Sequence, residues 1–272
     1  MEWKDIRYEL DGPVAVISLN RARYRNAQSW RLLDELDEAL ETARDDTDVR
    51  VVVVRGEGDH FSAGHDLGTS EQIADLKARG TPRVGISEYD AFRKYNLELT
   101  LKWRNLPKPT IAMVRGYCIY GGWMIAAAMD VLFASPTARF LAGQVEYLSV
   151  PFDVGFRKAK ELLFESRFID AEEARELGFV NRVFDDDVLE SETLAWARRV
   201  AENGYGSLRM AKLAVNKMHD LLGFSAALEA AFADYLVVAH MGGHPAQRPR
   251  AKRLPGVDLA LQGAQGERTG QD

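Results

Sequence analysis

The chain has 272 residues, 35 Lys+Arg against 41 Asp+Glu, a formal net charge of −6, and 46% hydrophobic and 28% charged residues. That length allows one large domain or two small ones, the composition excludes wholesale disorder, and the acidic balance offers no global field for gripping nucleic acid. A single cysteine, Cys118, excludes an intrachain disulfide and a cysteine-based zinc site.

Residues 1–5 lack the charged-then-apolar pattern of a secretory leader. The longest uncharged apolar stretch, 123–129, stops at Asp130, well short of the ~20 residues needed to span a bilayer. The expectation is a cytoplasmic protein with neither membrane nor nucleic acid as partner.

Residues 6–10 alternate, Gly12-Pro13 marks a turn, and 14–19 form a second β-rich run. Ser29 is placed to cap a helix whose Leu32, Leu33, Leu36 and Leu40 recur at helical spacing. The four valines 51–54 suit a strand buried on both faces. Strand, helix and strand joined by short links imply α/β organisation. A helix over 87–104 ends at Pro107-Lys108-Pro109, a buried strand covers 110–114, and a glycine loop spans 116–122. A helix from Trp123 and a strand over 131–134 follow. Helices are then expected near 157–164, 171–177, 189–201 and 208–240, the last broken near Gly223. The resulting division is a core over 1–200, a helical region over 201–245, and a flexible Pro/Gly/Gln/Arg-rich tail over 246–272.

Two loops carry the chemistry. Gly56 to Leu67 leaves the valine strand and Gly116 to Trp123 leaves the 110–114 strand, each through glycines and toward a helix. In open α/β sheets the crevice beyond the strands' carboxyl ends receives ligands. One backbone N–H from each loop could polarise a carbonyl there, although either loop taken alone could be no more than a tight turn. Neither Gly-x-Gly-x-x-Gly nor a Walker-type Gly-Lys-Ser/Thr occurs, which disfavours a Rossmann cofactor and nucleotide hydrolysis.

Five motifs then appear in order: Leu19-Asn20-Arg21 with Asn26-Ala27, Phe61-Ser62-Ala63-Gly64-His65-Asp66-Leu67, Arg115-Gly116-Tyr117-Cys118-Ile119-Tyr120-Gly121-Gly122, Arg157 to Leu163, and Asp170 to Ala174 with Leu177 to Asn181. Over about residues 5 to 240 the chain resembles the enoyl-CoA hydratase/isomerase (crotonase) family. The resemblance implies a spiral of ββα units closed by C-terminal helices that form a homotrimer or dimer of trimers. It implies an acyl-CoA thioester as substrate, with no cofactor and no metal. The thioester oxygen would lie between the N–H groups of His65 and Gly121. CoA would contact Arg23, Arg25, Ala27, Ala63, His65, Asp66 and Leu67.

The chain departs from the family's hydratases at their two glutamates. Met124 stands where the first is expected, and the second falls on Gln144 without a gap or on Glu146 with a two-residue insertion. Glu146 is the leading acid/base candidate and Asp153 a second, while Tyr120, Trp123 and Met124 are expected to line an apolar acyl pocket. The His65 side chain is expected to flank CoA, and Asp66 to satisfy turn donors. His60, His219, His240 and His244 have no acidic partners at ligand spacing. Hydration of a 2-enoyl-CoA leads. Isomerisation or thioester hydrolysis by a single carboxylate, and non-catalytic acyl-CoA binding, are the alternatives.

Overall fold

The computed structural model describes residues 3–80, 86–143, 146–241 and 257–262. Its centre is a sheet of β1 (Ile6–Asp11), β2 (Val14–Leu19), β3 (Val51–Gly56), β4 (Thr110–Val114), β6 (Val131–Ala134) and β9 (Arg182–Val183), hydrogen-bonded in that order. Only the edge pair β1–β2 is antiparallel. The valine run behaves as expected of a strand covered on both sides. Val52 and Val54 point into one core cluster with Ile17, Ala112 and Val114, whereas Val51 and Val53 point into another with Val16, Ile111 and Phe133. Side chains alternate across a pleat, so a continuous apolar strand needs a partner layer on each face.

Those layers are helical. Helix α1 (Trp30–Asp45) covers the first face, capped at Ser29, whose hydroxyl accepts from the Leu32 N–H. It buries Leu32, Leu36 and Leu40 to 1% exposure or less, each worth roughly 1.5–3 kcal/mol. Helix α9 (Leu189–Ala201) closes the second face through Leu189 and Ala197.

A second sheet of β5 (Tyr117–Ile119), β7 (Arg139–Leu141) and β8 (Ile169–Asp170) is built from chain that has just left the first. The bend between β4 and β5 falls at Gly116, where φ is +50° and a Cβ would come within 2.2 Å of the Asp59 carbonyl oxygen. Strand, bend, short strand and helix α5 (Gly121–Ala128) make one turn of a ββα spiral, and β6, β7 and the following helices repeat it. The loop expected over 116–122 therefore contains β5, whose three residues are too few to show a period.

The long helix expected over 87–104 runs through Ile86–Phe92, Arg93–Glu98 and Leu99–Arg104, with the middle segment wound as a π-helix. We number the outer parts α3 and α4, the helix Ser70–Ala78 being α2. Helices α6 (Val150–Val154), α7 (Phe156–Glu165) and α8 (Ala171–Glu176) precede α9. The C-terminal region is α10 (Tyr205–Leu221) and α11 (Phe224–Met241), broken at Gly223 with φ +94°. Within the stretch expected to be a tail, residues 257–262 are helical, and Ala260 packs on Ile119 and Leu141. No helix among the described residues is long and apolar enough to cross a membrane.

Candidate active site

The loops after β3 and β4 run side by side. The Ser62 N–H donates to the Tyr117 carbonyl at 2.9 Å and the Ile119 N–H to the Ser62 carbonyl at 3.0 Å. The segment 25–28 joins them: Ala63 N–H donates to the Arg25 carbonyl, Gln28 N–H to the Gly64 carbonyl, and Asp66 N–H to the Gln28 carbonyl. These contacts bring Arg25, Ala27, Ala63, His65 and Asp66 into one neighbourhood with Gly121.

Gly64 makes the approach possible. Its φ is +87°, and a Cβ there would lie 2.8 Å from the Ile119 carbonyl oxygen and 3.5 Å from the Gly121 nitrogen. Gly121 opens α5, and helix N-termini leave their first N–H groups without intrahelical acceptors. Among the described residues, none accepts a hydrogen bond from the backbone N–H of His65 or of Gly121. Two neighbouring donors are thus without a partner among the described residues.

A buried charge network holds the first loop. Arg21 is 4% exposed; its guanidinium lies 2.9 Å from Asp66 Oδ2 and 3.6 Å from Asp5 Oδ2, and donates to the Ala27 carbonyl and Thr69 Oγ1. Asp66 also accepts from the Gly68 and Thr69 N–H groups. Burial pushes the Asp66 carboxyl up, but hydrogen bonds from Thr69, Gly68 and Arg21 more than offset it, so the group stays below the usual carboxylate range. Arg23 and Arg25 are exposed, Arg25 lying 5.9 Å from the Tyr117 ring centroid. Leu67 is 52% exposed.

Glu146 is 1% exposed. Its Oε2 lies 3.3 Å from His65 Nε2, and Oε1 accepts from Asn96 Nδ2 at 3.2 Å; the Tyr235 hydroxyl of α11 completes the set. Burial alone would neutralise both partners, pulling the imidazole down and the carboxyl up. Each opposes that trend in the other, leaving His65 above and Glu146 below its ordinary value. Gln144, the alternative position for a second glutamate, lies outside the described residues.

Asn96 and Tyr235 gave no signal in the sequence. The π-wound segment turns Tyr95, Asn96 and Leu97 inward together, a departure from helical periodicity that residue spacing does not announce. Tyr235 reads as one more aromatic on an apolar helix.

Other expected residues fall elsewhere. Met124 is 2% exposed and packs with Leu97, Tyr147, Phe224, Leu228 and Phe232. Trp123, one position along α5, faces the main core instead. Its ring stacks on Phe179 at 4.0 Å and its indole N–H donates to Asp153 Oδ2 at 2.8 Å. Ser149 Oγ donates to the same oxygen at 2.7 Å. Burial lifts the Asp153 carboxyl to about 6 against these two hydrogen bonds. Asp153 and Trp123 thus form a cluster of their own rather than joining Glu146. Tyr120 has φ +45°, and its ring lies where a Cβ on Gly143 would meet Cε1 at 2.3 Å. Among the described residues no three His, Cys, Asp or Glu side chains stand together as a metal site.

Comparison with known proteins identifies the family and the fold. The family model for Enoyl-CoA hydratase/isomerase matches residues 9–235. A Mycobacterium tuberculosis protein provisionally named enoyl-CoA hydratase EchA13 is 39% identical over 264 residues, covering 89% of this chain and 83% of that one. A crystal structure of a protein provisionally described as an enoyl-CoA hydratase from Mycobacterium thermoresistibile is 41% identical, with TM-score 0.77 over 84% of this chain and 92% of that one. An enoyl-CoA hydratase/isomerase from Xanthobacter autotrophicus Py2 is 32% identical, with TM-score 0.80 and 90% coverage of each chain. The ββα spiral, the paired glycine loops and these likenesses converge: the chain belongs to the enoyl-CoA hydratase/isomerase family and is an acyl-CoA enzyme of crotonase-like fold.

Proposed function

We propose that this enzyme adds water across the double bond of a 2-enoyl-CoA. The observation that carries the reading is a buried carboxylate, Glu146, against the imidazole of His65, the residue whose backbone N–H is one of the two uncommitted donors. The N–H groups of His65 and Gly121 hold the thioester oxygen, where negative charge grows as the enolate forms. Donors already fixed by the fold need no reorganisation at that moment. Glu146 takes the proton from the attacking water. Exposed Arg23 and Arg25 meet the CoA phosphates.

Met124 favours a second reading. A thioether cannot move a proton, and one carboxylate is enough to shift a double bond by taking a proton from one carbon and returning it to another. The fold also presents Met210, Val215, Met218, Leu221 and Leu222 of the α10 region at 63–87% exposure, a surface suited to a second copy in a trimer or dimer of trimers. The place of action is the cytoplasm.

Turnover of crotonyl-CoA, followed as loss of the conjugated enoyl thioester, tests the reading. Clear hydration abolished by Glu146→Gln supports it. Conversion of a 3-enoyl-CoA to the 2-enoyl isomer without hydration selects the second reading. Absence of both reactions overturns the pair.

A further inference from the structure

Water addition needs two proton movements: one proton leaves the water that attacks C3, and another arrives at C2. With Met124 in the place of one carboxylate, Glu146 alone can serve only one movement at a time. The structure supplies another proton carrier in contact with it. His65 Nε2 lies 3.3 Å from Glu146 Oε2, and the His65 side chain keeps about a quarter of its surface accessible whereas Glu146 keeps 1%. The imidazole is therefore the more accessible member of the pair. Its Cε1 lies 3.0 Å from where a Cβ on Gly121 would be, so the ring sits against the residue whose N–H is one of the two donors. The other donor is the backbone N–H of His65 itself, which ties the ring to the thioester position through its own residue. Asn96 holds the second carboxylate oxygen at 3.2 Å, and the Tyr235 hydroxyl adds a further hydrogen bond. Glu146 is thereby oriented with Oε2 toward the ring.

We propose that His65 and Glu146 form one self-resetting acid–base pair, with His65 as the catalytic acid that replaces the missing second carboxylate. This rests on the hydratase reading above. The pair starts as imidazolium and carboxylate. Glu146 accepts a proton from water as its oxygen bonds to C3, and the C2–C3 π electrons move onto the thioester as an enolate. The imidazolium then gives its Nε2 proton to C2, and the enolate returns to a thioester. Substrate has gained the elements of water, and the pair is left as carboxylic acid and neutral imidazole. Transfer of one proton across the 3.3 Å gap restores the starting state without help from solvent. Among the described residues Glu146 is the charged group acting on His65, and burial opposes it. Among the described residues the groups acting on Glu146 are His65, Asn96, the hydroxyl of Tyr235 and its own backbone N–H.

The test uses the full chain with crotonyl-CoA and the variants His65→Gln, Glu146→Gln and the double substitution, with a histidine NMR titration of wild type and Glu146→Gln. His65→Gln keeps the backbone donor. The pair predicts a fall in kcat of about 10²-fold or more with KM nearly unchanged, and loss of the alkaline limb of the kcat profile. It predicts a double variant no more than a few-fold slower than Glu146→Gln, as expected of groups acting as a unit. It also predicts a wild-type His65 titration above the ordinary 6.5 that drops in Glu146→Gln. A His65→Gln enzyme within about threefold of wild type with an unchanged pH profile, beside an inactive Glu146→Gln, overturns the pair and leaves the hydratase reading standing. Wild type that fails to hydrate crotonyl-CoA overturns that reading and the acid role with it. If His65→Gln does not fold, the titration decides: a His65 midpoint at or below 6.5, insensitive to Glu146→Gln, refutes the coupling.

Discussion

Replacing Gly64 by alanine isolates what the close approach of the two loops contributes. Gly64 and Gly178 share nearly the same backbone torsion, φ +87° and +85°, but differ in surroundings. A Cβ at 64 would lie 2.8 Å from the Ile119 carbonyl oxygen, whereas one at 178 would meet nothing within 4 Å. Both alanine variants bear the cost of a left-handed residue, about 1–2 kcal/mol. Gly64→Ala must also push the Ile119 peptide back by about 0.6 Å to restore ordinary contact, two residues before Gly121. Displacements approaching 1 Å at a catalytic group cost about 10²-fold, so a loss of about 10- to 100-fold in kcat/KM is expected for Gly64→Ala. Gly178→Ala, at the end of α8, should lose stability and keep its rate. Denaturant unfolding and initial rates on the same preparations make the comparison. Equal kcat/KM in the two variants would refute the claim that Gly64 sets the spacing of the donors.

The Asp153 carboxyl, raised to about 6 from an ordinary 3.8, makes the folded state bind more protons than the unfolded one between those values. Stability from this group is present below that window and is lost as pH rises through 6. The half-buried position limits the loss to about 1–3 kcal/mol. Asp153→Asn should therefore gain on wild type in melting temperature between pH 4 and pH 7, and a pH-independent difference would contradict the assignment. Arg21→Met would leave Asp66 buried without its cation while Arg31 still pairs with Asp5, a loss of about 3–5 kcal/mol. Chemical denaturation reads it directly, and a loss below 1 kcal/mol would show that the network carries little of the loop's stability.

How far the sequence alone reached depends on whether a feature is local. The capped amphipathic α1, the valine strand and the break at Gly223 follow from periodicity, β-branching and glycine's backbone freedom, each expressed within a few residues. The close approach of the two glycine loops was legible for the same reason: it needs only glycines that let two strand ends come close. Glu146 against Gln144 stayed open because an insertion in an irregular segment leaves no periodic mark, and it is the folded chain that sets Glu146 against His65. The 3.3 Å contact joins residues 81 positions apart, and Asn96 enters only because a helix winds as π for six residues. Trp123 and Met124 looked alike as apolar neighbours. Their opposite destinations follow from the ~100° between successive residues of a helix packed on two different layers. Local chemistry wrote the backbone frame, while the contact of His65 with Glu146 at its centre exists only where four distant segments, carrying His65, Asn96, Glu146 and Tyr235, are packed together.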